Sequence, residues 1–269
     1  MAGPRIVVLA DKVVLGRRAA EYVCASLEQA VARRGGAHLM LTGGSTAAIL
    51  HRALASAPFR DRIDWDHVDL WWGDDRFVPF GDTDSNVRLA RETLLRGRQP
   101  GSTGIVVPER NVHPFPIPEA RAAGEGPDAC ASRYASELVA RVPLDAHGLP
   151  VFDLVLLGVG PDGHFLSCFP GSPLVDAPAP PICAGVPAPT TASPYVPRVT
   201  CSPRLTEIAR DVLVMGTGPA KAAIMAAVLA GPRDVNRYPA QIAARRGATW
   251  MLDAAAAAGL PEASRVVAV

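Results

Sequence analysis

Neither sign of charge is in excess in this sequence: 27 basic residues face 26 acidic ones, for a net charge of +1. A chain so balanced lacks the basic face needed to neutralise a phosphate polymer, so nucleic acid is excluded as an expected partner. Cysteine is scarce. The five present, Cys24, Cys130, Cys168, Cys183 and Cys201, are odd in number, widely spaced and form no CxxC. That pattern excludes a disulfide framework or a zinc site and predicts reduced thiols in a cytoplasm. No apolar run approaches the ~20 residues that span a bilayer. The stretch MAGPRIVVLADK has only a short apolar run, broken by Asp11 and Lys12, and lacks a signal-peptide core. The expected protein is therefore cytoplasmic and makes no membrane contact. HExxH is missing, and His38, His51, His67, His113 and His147 show no metal-ligand spacing, so no metal is expected. GxxxxGK[ST] and GxSxG are missing too, which excludes a nucleotide P-loop and the serine-hydrolase elbow.

What is present is an ordinary globular composition, 49% hydrophobic and 20% charged, in 269 residues. Short β-rich runs alternate with helical patterns. RIVVLA (5–10), AHLMLT (37–42), VDLWWG (68–73), VFDLVLLGVG (151–160), DVLVMGTG (211–218), ATWML and RVVAV read as strands. Helices are predicted over 13–34, after GGST through Ile49, Leu50 and Leu54, from Ser85 through Leu95, from Pro219 to Leu229, and over the alanine-rich 253–259. Ser85 is a candidate N-cap. Near-continuous apolar strands alternating with helices predict an α/β fold with a mostly parallel sheet covered on both faces. Such sheets bind ligands at the carboxyl ends of their strands. Proline interrupts the pattern at 108–127 and again at 170–203, where it takes ten of 34 positions. Neither stretch is expected to form an ordinary helix, and the second reads as a lid, an irregular excursion or a partly mobile segment.

Three loops after predicted strands carry the chemistry. TGGST (42–46) offers backbone N–H groups at Gly43 and Gly44, and hydroxyls at Ser45 and Thr46, at a helix start. This suits a phosphate, although a plain helix cap uses the same residues. WWGDDRFVP sets Asp74, Asp75 and Arg76 together, either as an anion grip or as a surface ion pair. GVGPDGHFLSCFPG (158–171) holds His164, whose imidazole can exchange a proton near neutrality, with Asp162 two residues before it. A helix-capping histidine is the bland alternative. Gly158, Gly160 and Gly163 match GxGxxG formally. No acidic residue is suitably placed downstream to bind a ribose, so a nicotinamide cofactor is not expected, nor is any other cofactor. Arg198 and Lys221 each follow a loop. A lysine at a helix start opposes the helix dipole, and a bound anion would offset this.

Taken together, TGGST, WWGDDRFVP with DTDSN (82–86), NVHPFP (111–116), GVGPDGHFLSCFPG, RVT (198–200) and GPAK (218–221) resemble, in order, the motifs of the 6-phosphogluconolactonase family. The resemblance implies one domain over 1–269. Its implied fold is a three-layer α/β/α sandwich with a modified Rossmann-like sheet, shared with glucosamine-6-phosphate deaminases and ribose-5-phosphate isomerases. It also implies hydrolysis of 6-phospho-D-glucono-1,5-lactone to 6-phosphogluconate in the oxidative pentose phosphate pathway. By the same carry-over His164 is the catalytic acid/base, with Arg76 beside it; Asp162 and Asp74 both stay open as the carboxylate that supports the imidazole. Gly43, Gly44, Ser45, Thr46, Asp74, Arg198 and Lys221 bind the sugar phosphate. A monomer or weak homodimer is expected. Four positions depart from the family pattern: Ala47 replaces a common proline, Asp75 the usual Glu, Phe165 the usual Thr and Cys168 the usual Leu. Two other readings share the fold: an enolising deaminase or isomerase with Asp74 as base, and a non-catalytic sugar-phosphate sensor. Arg76 stands where the deaminases usually have tyrosine, which favours the lactonase.

Overall fold

The computed structural model describes residues 3–95 and 104–262, and the backbone of Val266–Val267. The chain runs β1 (Arg5–Leu9), α1 (Lys12–Arg34), β2 (Ala37–Leu41), α2 (Ser45–Leu54), β3 (Val68–Trp72), β4 (Asp74–Arg76) and α3 (Asn86–Thr93). It continues with β5 (Val112–His113), α4 (Ile117–Ala122), α5 (Pro127–Arg141), β6 (Leu154–Gly158), α6 (Pro173–Asp176), β7 (Cys183–Val186) and β8 (Arg198–Cys201). It ends with α7 (Pro203–Ile208), β9 (Val212–Gly216), α8 (Ala222–Ala230), β10 (Ala248–Asp253) and β11 (Val266–Val267).

Eight strands form one sheet in the order β11-β1-β10-β9-β6-β2-β3-β5, and every pairing in it is parallel. Successive residues of β6, Leu154 to Leu157, are all buried, and so are those of β9 and β10. Residues on both sides of each strand are thus covered, which explains why these runs read as continuous rather than alternating apolar segments. From β2 the chain moves on to β3; from β6 it moves the other way, to β9. The sheet therefore changes winding direction between β2 and β6, which opens a crevice at their carboxyl ends.

Local chemistry sets the main helices. Asp11 caps α1 by accepting from the N–H groups of Val13 (2.7 Å) and Val14 (2.9 Å). Gly35, with φ of 79°, closes it by donating to Val31 O. Ser85 caps α3 as expected, its hydroxyl accepting from Arg88 N at 3.3 Å; that helix stops at Thr93, short of Leu95.

Three features depart from the sequence reading. The alanine-rich 253–259 is no helix. β10 runs through Asp253, and turns follow to Gly259. The Asp253 carboxylate takes both Gly218 N (2.9 and 3.0 Å) and Ala256 N (2.8 Å), and this fixes a sharp turn that helix propensity cannot override. The proline-rich stretches do contain helix, among it the short α4 and α6, whose prolines sit in the first turn, where no N–H is needed. Finally, β4, β8 and β7 form a second, antiparallel sheet. Together with α5, whose Tyr134 hydroxyl accepts from Trp72 N at 2.9 Å, it was not foreseen.

Candidate active site

A cavity of about 400 Å³ opens at the winding reversal. Gly43, Gly44, Ser45 and Thr46 line it from the end of β2, and Gly158, Gly160 and His164 from the end of β6. Lys221 reaches it from the turn after β9, and Asp74, Arg76 and Arg198 from β4 and β8. Nine of the ten residues expected in the site line this one space. The tenth, Asp162, stands behind the His164 ring. Residues up to 178 positions apart (Gly43 to Lys221) meet because neighbouring parallel strands end together at one edge.

His164 does not cap a helix; none begins there. Its Nδ1 lies 2.5 Å from Asp162 Oδ1, and its backbone N–H donates to the same oxygen at 3.1 Å. The Thr191 hydroxyl donates to Asp162 Oδ2 at 2.8 Å. Burial alone would push the Asp162 carboxyl up. The hydrogen bond from the His164 ring, the charge of that ring and the bond from Thr191 outweigh it, and hold the group well below the usual carboxylate range. With Nδ1 engaged as donor, Nε2 is the ring nitrogen left to exchange a proton. Gly160 makes room for the ring, since a Cβ there would lie 2.0 Å from His164 Cε1. Gly163 is needed for a separate reason: its φ is +89°, and a Cβ would meet Tyr238. The formal GxGxxG thus reflects a histidine turn. Leu166, which follows on the cavity wall, holds a φ of 53°, a sparsely populated conformation for a branched side chain that persists where packing enforces it.

Asp75 is no surface partner of Arg76. Fully buried, it accepts from Asn86 N (2.7 Å), Arg76 N (2.8 Å), Ser85 Oγ (3.2 Å) and Val87 N (3.3 Å), and so fastens the start of α3 to β4. Burial pushes its carboxyl up to about 6 against those donors. Asp74 faces the cavity, and its Oδ2 takes the Ser167 hydroxyl at 2.5 Å. It does not touch the imidazole, so Asp162 is the carboxylate that orients His164.

Arg76 and Arg198 occupy opposite positions on the antiparallel β4 and β8. Arg76 is anchored through a bond to Asp84 O, and Arg198 through Nη2 to Pro194 O at 2.8 Å. Among the described residues neither buried Nε has a hydrogen-bond partner. Burial, followed by repulsion from Arg76, pushes the Arg198 guanidinium down from its ordinary value. Like charges placed opposite across strands destabilise a sheet, and an anion held between them would remove that cost. Lys221, pushed down by burial, donates to Val159 O at 2.6 Å. Thr46 Oγ1 lies 3.0 Å from Thr217 Oγ1, and the first N–H groups of α2 have no intrahelical acceptor.

Sequence reasoning missed the supporting residues. Phe169 lies 4.6 Å from the His164 ring and 5.7 Å beneath the Arg198 guanidinium. Asn86 holds Gly43 so closely that a Cβ there would fall 1.9 Å from its Oδ1. Asn86, Ser167 and Phe169 sit inside quoted motifs and were within reach. Thr191 lies in the proline-rich excursion and gave no signal. Among the described residues, no group of three or more His, Cys, Asp or Glu could hold a metal ion, and no helix is long and apolar enough to cross a membrane. All five cysteines are buried and unpaired.

The family model for glucosamine-6-phosphate isomerases and 6-phosphogluconolactonases matches residues 10–251. A 6-phosphogluconolactonase of Streptomyces coelicolor is 37% identical over 266 residues, covering 96% of this chain and 95% of that protein. One from Mycobacterium tuberculosis is 34% identical over 256 residues, with 95% and 98% covered. Among solved structures, the 6-phosphogluconolactonase of Leishmania guyanensis superposes with a TM-score of 0.81 at 26% identity, covering 97% of this chain and all of that one. A monomeric glucosamine-6-phosphate deaminase gives 0.74 at 17% identity, over 95% and 99%, a likeness of fold alone.

Proposed function

Because this chain belongs to the glucosamine-6-phosphate isomerase/6-phosphogluconolactonase family, we propose that it hydrolyses 6-phospho-D-glucono-1,5-lactone to 6-phospho-D-gluconate, with His164 as general acid/base. The reading takes 1–269 as one lactonase domain, working in the cytoplasm on the oxidative pentose phosphate pathway. The observation that carries it is the sharing of one cavity by an imidazole aligned on a carboxylate and two arginines with unpartnered buried Nε groups.

The steps follow from the residues. Nε2 of His164 takes a proton from water as the oxygen attacks C1, and the lactone carbonyl oxygen becomes an oxyanion. Arg76 or the N–H groups around Gly44 stabilise that charge. Collapse breaks the C1–ring oxygen bond, and the imidazolium returns its proton to the leaving ring oxygen. The carboxylate of Asp162 steadies the imidazolium between the two transfers. Such proton transfer contributes roughly 10²–10⁴-fold. Arg198, Lys221, Ser45 and Thr46 hold the phosphate and so fix C1 against the water.

An enolising deaminase would need Asp74 free as a base, yet its Oδ2 is committed to Ser167. A coupled assay of lactone opening, corrected for the spontaneous reaction, tests the reading. Wild type accelerates it, and His164→Ala does so about 10²–10⁴-fold less. Ammonia release from glucosamine 6-phosphate without lactone opening overturns the proposal.

A further inference from the structure

Asp162 is held at both of its oxygens by different segments of chain. Oδ1 is taken by the His164 ring and backbone, whereas Oδ2 takes, among the described residues, the Thr191 hydroxyl at 2.8 Å. Thr191 lies midway along the excursion between β7 and β8, and that excursion is fastened around it. Ala192 beside it is buried. The carbonyl of Pro194 accepts from Arg198 and that of Pro197 from Phe77 N, each at 2.8 Å. Thr191, Ala192 and Ser193 line the cavity.

We propose that Thr191 is a positioning residue: its hydroxyl fixes the rotation of the Asp162 carboxylate and, through it, the plane of the His164 imidazole. The inference rests on the lactonase reading above. The torsion between a carboxylate and its Cβ is broad, so a carboxylate bonded through one oxygen swings easily and carries its imidazole with it. A second donor on the other oxygen removes that freedom. Threonine suits the task because its branched Cβ restricts χ1 before any bond is made. The proline-rich excursion is then part of the catalytic apparatus, and the phosphate-side residue Arg198 anchors the same segment through Pro194.

The test compares Thr191→Val, Thr191→Ser and, as a control for hydroxyl loss in the same segment, Thr190→Val, whose position is exposed and does not line the cavity. Thr191→Val lowers kcat about tenfold, the scale of one hydrogen bond to a charged group, with KM within about twofold. Thr191→Ser restores kcat to within about twofold of wild type, and Thr190→Val changes neither constant. In an Asp162→Asn background Thr191→Val costs nothing further, because the hydroxyl acts only through that carboxylate. An unchanged kcat in Thr191→Val, failure of Thr191→Ser to restore it, or additive losses with Asp162→Asn would each overturn the proposal. Proton NMR of the His164 Nδ1–H, assigned by its loss in His164→Ala, keeps the test independent of turnover. The resonance shifts or broadens in Thr191→Val and is preserved in Thr191→Ser; no change in Thr191→Val again overturns the proposal. A wild type that opens no lactone yet shows the NMR response refutes the lactonase reading and leaves the positioning role standing.

Discussion

Arg76 and Arg198 face each other across the β4–β8 pair, and neither Nε has a hydrogen-bond partner among the described residues. Two guanidinium groups held this way repel each other, and in the proposed function a bound anion removes that cost. The product 6-phosphogluconate, at about 100 times its Kd, therefore stabilises the fold by about 2.7 kcal/mol and raises Tm by about 5–8 °C. Arg198→Ala abolishes most of that rise. It also raises KM for the phosphorylated lactone far more than for glucono-1,5-lactone. Equal effects on the two lactones in steady-state kinetics would exclude a phosphate clamp at this position.

If His164 acts as proposed, His164→Ala lowers kcat about 10²–10⁴-fold while KM stays within a few-fold, because in that mechanism the ring moves protons and does not grip the substrate. The coupled assay reads both constants, and circular dichroism verifies that the fold is intact.

Gly160→Ala is expected to reproduce much of that loss without touching a functional group. Its Cβ would lie 2.0 Å from Cε1 and 2.1 Å from Nδ1 of His164, so the ring must leave its bond to Asp162. A kcat loss of about 10²-fold or more with an unchanged Tm is the expected pattern. Wild-type kcat would show that the ring finds an equivalent position.

Asp75→Glu restores the residue usual in the family and is expected to destabilise this chain. Asp75 has no exposure, and four donors close on its two oxygens. An extra methylene in such a site costs about 1–3 kcal/mol, which a urea midpoint measures. A midpoint equal to wild type would show that α3 can shift to accept the longer side chain.

His113 supplies the pH dependence away from the site. It is buried, stacks on Trp71 at 4.1 Å, and lies between Asp69 Oδ1 (2.8 Å) and Glu137 Oε1 (3.0 Å). His38 also borders Asp69, and Arg141 borders Glu137. Burial pushes the His113 imidazole down, but the bonds to Asp69 and Glu137 and their charges outweigh it, so its value is raised. A raised value stabilises the fold fully below the unfolded value of about 6.5, and the contribution is lost as pH rises through the folded value. The stability gap between wild type and His113→Gln should therefore narrow from pH 6 to pH 9 in urea titrations. A gap that widens would reverse the sign of the argument.

The motif loops were legible because each follows an apolar strand run directly, and an α/β sheet delivers such loops to one edge. His164, Arg76 and Lys221 could be proposed on that ground, whereas Arg198 was found through the RVT motif, and the ordered motifs supplied the family. The alanine run after β10 was misread because helix propensity is worth only tenths of a kcal/mol per residue, less than the three hydrogen bonds at Asp253. The second sheet was hidden because β7 and β8 lie in a stretch whose prolines mask any strand pattern. Thr191 was hidden for the same reason.

The sequence by itself determined the α/β class, the expected reduced thiols, and the identity of the groups that can move a proton or grip an anion, because these depend on residue type and local period. The tertiary structure alone decided that Asp162 rather than Asp74 bonds the imidazole, that Arg76 and Arg198 stand opposed, and that a proline-rich excursion brings Thr191 to the Asp162 carboxylate. Those are relations between segments distant in the chain. They are fixed by strand order, register and the burial of polar groups that must find partners, and no local pattern of residues encodes them.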